Sequence, residues 1–203
     1  MISPIKIIGS LAYQTREALN NNPDFILGAR NYMYNLFSDD RFNLWHYPGT
    51  GNEISNILLS FQKSNDSASV KFPALFDFHP ILQDFSGNTV TFTYNLAFVT
   101  PTRSDWTTEQ REKFVFEPIL RPMYQEFFNQ ISKSAKLFQL GFGHISHRMH
   151  EVYTTGNNQD EDIKGRYSDY VDAIRIEDLK LTLKPICQRD IDLIEHQNQL
   201  VTN

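Results

Sequence analysis

From Pro4 to Asn20 the apolar residues Ile5, Ile8, Ala12 and Leu19 recur at the spacing of one helix face, and Pro4 suits a first helical turn. The pattern therefore predicts a helix over 4–20. The run Asn20-Asn21-Asn22-Pro23 stops it. Between Phe25 and Tyr47 no single period holds, and Asp39-Asp40 is placed to separate two strands. Pro48-Gly49-Thr50-Gly51-Asn52 is a turn cluster, with Asn52 as N-cap of a short helix whose Ile54, Ile57, Leu58 and Phe61 form one inward stripe.

After a polar loop at Ser64–Ser69, alternating Phe72, Ala74, Phe76 and Phe78 predict a strand, which Pro73 confines to a sheet edge or a strand start. The clearest strand follows Gly87-Asn88. Val90, Phe92, Tyr94, Leu96 and Phe98 alternate with Thr89, Thr91, Thr93 and Asn95, predicting one covered face and one polar face. Thr107 and Gln110 match a capping box. Pro118 and Pro122 interrupt the apolar spacing behind it, so a break or kink near 115–118 and a longer helix reaching about Ser134 and covering the sheet are expected.

Ile145, His147, Met149 and Tyr153 share the parity of a further strand, and Thr154–Arg166 is a polar loop. In the last apolar segment Ile174 and Ile176 are even whereas Leu179, Leu181 and Leu183 are odd. A β-bulge between Glu177 and Asp178 reconciles them, and Pro185 ends the strand. The order predicts an α+β domain over 1–187, with an antiparallel or mixed β-sheet covered by helices and a polar C-terminal tail at 188–203. Strands grouped next to one another argue against βαβ winding.

Composition adds little until it is divided along the chain. With 203 residues, 40% of them apolar, the chain can bury a core, and no apolar run approaches the ~20 residues of a membrane span. Ser3 and Pro4 stand where an export signal would need its apolar segment, so none is expected. Residues 1–150 carry 13 basic and 13 acidic side chains while 151–203 carry 6 and 11, so the formal charge of −5 belongs to the last quarter. That is the opposite of a basic nucleic-acid footprint.

His144, His147 and His150 are the strongest candidates for metal chemistry, because imidazole is a common transition-metal ligand. On a strand, however, His144 and His150 face away from His147. The single cysteine, Cys187, lacks any activating motif and cannot form an internal disulfide. Gly141-Phe142-Gly143 lacks the third glycine of a dinucleotide loop. No catalytic set, cofactor or metal emerges, and the reading is of a non-enzyme. A monomeric adaptor, or a metal-binding domain using the three histidines, is the competing class. Phe138, Phe142, Tyr167 and Tyr170 flank polar loops rather than inward faces and are the candidate contacts with another chain.

Four ordered segments, KFPALFDF (71–78), TVTFTYNLAFVT (89–100), EPILRPMYQEFFNQISKS (117–134) and YSDYVDAIRIEDLKLTLKPIC (167–187), together resemble a family of tail-completion or neck proteins in tailed phages and prophages of Bacteroides-type hosts, including the crAss-like phages. The resemblance covers roughly residues 50–187. It implies a tail-terminator-like or connector-like fold and a homo-oligomeric ring, six or twelve subunits, at the head–tail interface of a virion, assembled in the host cytoplasm against portal, neck or tail proteins. It carries no catalytic residues. Under that resemblance the loops at Ser64–Ser69 and Thr154–Arg166 reach neighbouring subunits and the C-terminal tail docks on an adjacent protein. Asp160, Glu161, Asp162, Glu177 and Asp178 line an acidic channel that repels DNA, or else form a solvated face.

Overall fold

The computed structural model describes residues 3–33, 37–38, 41–62, 71–86, 89–135, 138–140, 145–153 and 170–183. Helix α1 spans Pro4–Asn20, as its apolar spacing predicts, and buries Ile7, Ile8, Leu11, Ala12 and Leu19. The asparagines that end it also start the next helix. Asn22 Oδ1 accepts from the backbone N–H groups of Asp24 and Phe25, capping α2 (Pro23–Met33). Residues 25–33 are thus helical, where sequence patterning found no single period. The pair Asn22-Pro23, an N-cap followed by Pro at the first helical position, was the available signal.

Asp39-Asp40 do separate two short antiparallel strands, β1 (Phe37–Ser38) and β2 (Arg41–Phe42). Asn20 clamps β2 to α1 by donating to the Phe42 carbonyl and accepting from the Phe42 N–H. Strand β3 (Trp45–Gly49) leads into α3 (Gly51–Gln62) and then β4 (Ala74–Ser86), and β3 and β4 pair in parallel. This is a βαβ unit, which the grouping of strands had argued against. The N-cap of α3 is Thr50 rather than Asn52: Thr50 Oγ1 accepts from Glu53 N–H, while Glu53 Oε2 accepts from Thr50 N–H. Ile54 and Leu58 of α3 are buried, but Ile57 is exposed.

Strand β5 (Thr89–Pro101) pairs antiparallel with β4 and with β8 (Val171–Leu183). Outside β8 lie β6 (Phe138–Leu140) and β7 (Ser146–His150), giving a mixed six-stranded sheet in the order β3-β4-β5-β8-β6, with β7 also on β8. The bulge in β8 falls where the parity flips. Tyr94 pairs with Leu179 but Leu96 with Ile176, Asp178 has φ of 54°, and its N–H donates to Asn95 Oδ1. One extra residue therefore brings Ile174, Ile176, Leu179 and Leu181 into the same core.

Thr107 and Gln110 form the predicted capping box at α4 (Thr108–Arg111). Instead of breaking, the helix accommodates Pro118 within a π-helical stretch, Glu112–Leu120, and continues as α5 (Arg121–Lys133). A wider turn eases the clash of the proline ring with the carbonyl of the preceding turn. These helices, with α1 and α2, cover one face of the sheet over Phe92, Tyr94, Leu96 and Phe98. The other face is polar only toward the hairpin end, where Thr91 Oγ1 meets Thr182 Oγ1. Nearer α3 it is a second core of Tyr47, Ile54, Leu58, Phe76, Ala97, Val99 and Ala173, so the expectation of a single covered face holds for only half of β5.

Candidate functional site

The least covered part of the sheet is its hairpin end. Strand β3 stops opposite Phe78, and beyond a register shift β4 pairs only with β5 among the described residues. The segment Leu82–Ser86 is therefore an edge whose outward N–H and C=O groups meet no described strand. It is exposed throughout, with Leu82 at 61% and Phe85 at 62%. Soluble proteins usually guard such edges with charge or proline, and here Asp84 and Pro80 stand beside two bare apolar side chains.

Register ties this edge to the opposite one. Phe85 pairs with Val90, Val90 with Leu183, and Leu183 with Phe138, so one row of apolar residues crosses four strands from edge to edge. Of the sequence-derived contact residues, Phe138 thus holds a register position on the outer strand β6. Tyr170 is 51% exposed, and its carbonyl accepts from Thr102 N–H at the foot of β8. Phe142 and Tyr167 lie outside the described residues, as do the loops at 64–69 and 154–166 and the tail from 184 onward. Leu82 and Phe85 were missed because a continuous strand from Ala74 past Pro80 to Ser86 contradicts the usual reading of proline.

The base of β8 is locked by a buried ion pair. Arg111 Nη1 donates to Asp172 Oδ1 at 2.6 Å and to Thr102 Oγ1, while Nε and Nη2 donate to the carbonyls of Trp106 and Arg103. Val152 N–H also donates to Asp172 Oδ1, while Oδ2 is buried without a hydrogen-bond partner. Burial pushes the Asp172 carboxyl up from its ordinary range, against the pull of the Val152 N–H and the Arg111 guanidinium. Another buried carboxylate, Asp77, sits on β4 with His46 Nε2 at 3.5 Å across the parallel pair. Asp77 also raises the Tyr94 phenol, whose burial is the larger cause. Nothing in the sequence joins His46 to Asp77, since only strand register brings them together.

The histidines do not converge. His147 meets Tyr124 on the helix-covered side, with Nδ1 at 3.3 Å from the phenol oxygen, whereas His150 packs on Tyr153 of the second core. His144 lies outside the described residues. Among the described residues no cluster of His, Cys, Asp or Glu has the geometry to hold a metal ion. Met149 keeps the parity of His147 along β7, and is exposed.

Of the acidic residues, Asp160, Glu161 and Asp162 lie outside the described residues. Glu177 is half-buried and held by Arg175 at 3.4 Å and Arg148 at 3.8 Å, two cations that register places opposite each other. Asp178 is exposed, but its backbone serves the bulge. No described helix is long and apolar enough to cross a membrane. The chain matches no family model, no curated protein and no solved structure.

Proposed function

We propose that this chain is a structural assembly subunit that closes into a homo-oligomeric ring at a phage head–tail interface, guiding assembly and leaving a channel for DNA. The observation that carries the reading is the bare edge Leu82–Ser86 with its exposed Leu82 and Phe85. Edge backbone groups add strands readily, and apolar side chains beside them supply the burial.

The sheet has the polarity such a ring needs. Strand β6 runs parallel to β5 and opposite to β4, because each neighbour along β4-β5-β8-β6 is antiparallel. Copies related by rotation about an axis along the strands would set β6 of one against β4 of the next as an antiparallel pair. That contact is head-to-tail and closes into a ring when the rotation divides a full turn. The ring's place in a virion comes from the resemblance of residues 50–187 to neck and tail-completion proteins.

Light scattering of the purified chain across a wide concentration range, followed by negative-stain imaging, tests the reading. Closed rings of six or twelve copies are expected, and Leu82→Lys with Phe85→Lys should yield folded monomers. A wild-type chain that stays monomeric at every concentration, and is retained by neither portal nor tail proteins, would overturn it.

A further inference from the structure

Where β3 ends beside Phe78 of β4, just short of the bare edge, a cleft of about 430 Å³ lined by Gly49 and His79 opens between the first turns of α1 and α3. Carboxyl ends of parallel strands beside a helix start are a recurrent ligand position, because strands and crossover diverge there. Position alone assigns nothing, but the groups lining this cleft are specific.

The carboxylate of Glu53 sits at its rim. Glu53 Oε2 is engaged by the Thr50 N–H and hydroxyl, which hold this carboxyl below its ordinary range and so ionised. No described side chain donates to Oε1, and the start of α3 favours negative charge there. Gly49 is what permits the placement. Its φ is 146°, and a Cβ on it would lie 3.0 Å from Glu53 Oε2 and 3.2 Å from Glu53 Cβ. Opposite stands His79, whose Nε2 is buried and without a hydrogen-bond partner. Such an orphaned ring nitrogen is costly unless something polar meets it. Asn56 adds an amide, and Ile5, Pro48 and Ile57 make the walls apolar.

We propose that this cleft binds an alkylammonium group, with the cation on Glu53 Oε1 and its aliphatic stem against Ile5, Pro48 and Ile57. An ammonium carries three donors and no acceptor. The lining offers a carboxylate oxygen, an imidazole nitrogen and an amide oxygen to receive them. An anion is excluded by the charge already at the helix start. The stem distinguishes the ligand from a hydrated metal ion, which has no use for apolar walls. The ammonium can belong to a free amine or to a lysine side chain of a partner. The inference stands whether or not the chain forms rings.

The test is an amide-resolved NMR titration of the full chain with n-pentylammonium chloride and, separately, with the blocked tripeptide Gly-Lys-Gly. Pentan-1-ol serves as the neutral isostere. Saturable shifts at Gly49, Glu53, Asn56, Ile57 and His79 are expected, with dissociation constants of roughly 1–10 mM for so small a ligand. Saturation by both cations, or by the amine alone, or by the tripeptide alone supports the site and identifies its source as general, small-molecule or partner lysine. Glu53→Gln preserves the capping box and should weaken binding about tenfold. Gly49→Ala, which displaces the carboxylate, should weaken it as well. No saturation with either cation, equal binding of pentan-1-ol by the wild-type chain, or undiminished binding by folded Glu53→Gln would overturn the proposal. The pentan-1-ol comparison needs no variant to fold.

Discussion

Replacing Asp172 with Ala would leave the Arg111 guanidinium, 3% exposed, beside a hole where its 2.6 Å partner stood. The Val152 N–H would lose its acceptor too. Two charges removed from water offset that loss only through each other, so deleting one partner costs about 3–5 kcal/mol. For a chain of this size each kcal/mol moves Tm by about 2–4 °C, giving an expected drop of roughly 6–20 °C. Arg111→Met should cost a similar amount, stranding the carboxylate together with the Trp106 and Arg103 carbonyls. The double variant Arg111→Met with Asp172→Ala removes both charges and should be no less stable than either single one, a coupling of at least ~3 kcal/mol. Urea unfolding followed by circular dichroism, with m unchanged across the set, measures all three. Single costs below about 1 kcal/mol, or additive costs in the double variant, would show that this pair does not hold α4 to β8, and the reasoning would fail.

Three further outcomes follow from local geometry. Asp178→Gly should raise stability by about 1 kcal/mol, because φ of 54° suits glycine, whereas Asp178→Val should lower it by more; a neutral Val variant would contradict the bulge. Thr107→Ala should cost about 1 kcal/mol in thermal unfolding by removing the cap on the Gln110 N–H, and an unchanged Tm would refute that cap. Burial, then Arg175 and Arg148, hold the His150 imidazole below its ordinary range, so the folded state favours the neutral ring. The stability this confers is present above about pH 6.5 and is lost as pH falls through the lowered value. An NMR titration midpoint at or above the ordinary histidine value would contradict it.

What was legible in the sequence was whatever a single period could encode. Most of the face of α1 (Ile8, Ala12 and Leu19, but not the half-buried Ile5), the alternation in β5, and the parity flip that located the bulge all reduce to counting apolar positions, and the Thr107–Gln110 cap is a local motif. The errors arise where two physical demands meet in one residue. Asn22 ends one turn of chain while capping the next helix, so α2 was read as irregular. Pro118 sits in a helix because the wider π-helical turn eases the clash of its ring with the preceding turn, although its missing N–H costs one hydrogen bond in either geometry. Thr91, Ala97 and Val99 share a parity, but only the last two join the core that holds Ile54 and Leu58 of α3, so no pattern along β5 alone could show that its second face changes from half-exposed and polar to buried. The His46–Asp77 and Arg111–Asp172 contacts were invisible for a different reason: 31 and 61 residues apart, each exists only through strand register or packing.

That change of face along β5 also bears on how the molecule would assemble. At the Ala97–Val99 end the sheet is sandwiched between α3 and the opposing helices, flanked by β3, and tied down by Arg111 and Asp172. At the Thr89–Thr91 end it has helices on one face only, a threonine pair on the other, and the bare edge of β4 beside it. Local opening energies follow local burial, so the first end is the stable anchor and the hairpin end the part most readily remodelled. Lysines at Leu82 and Phe85 should therefore change stability by no more than about 0.5 kcal/mol, as exposed positions do, while abolishing self-association. Hydrogen exchange of wild-type chain at assembling and non-assembling concentrations separates the two effects. Protection that rises with concentration at 82–86, and stays constant at 97–99, is expected. Protection rising equally at both places would mean that assembly stabilises the whole fold, and the edge would lose its special role.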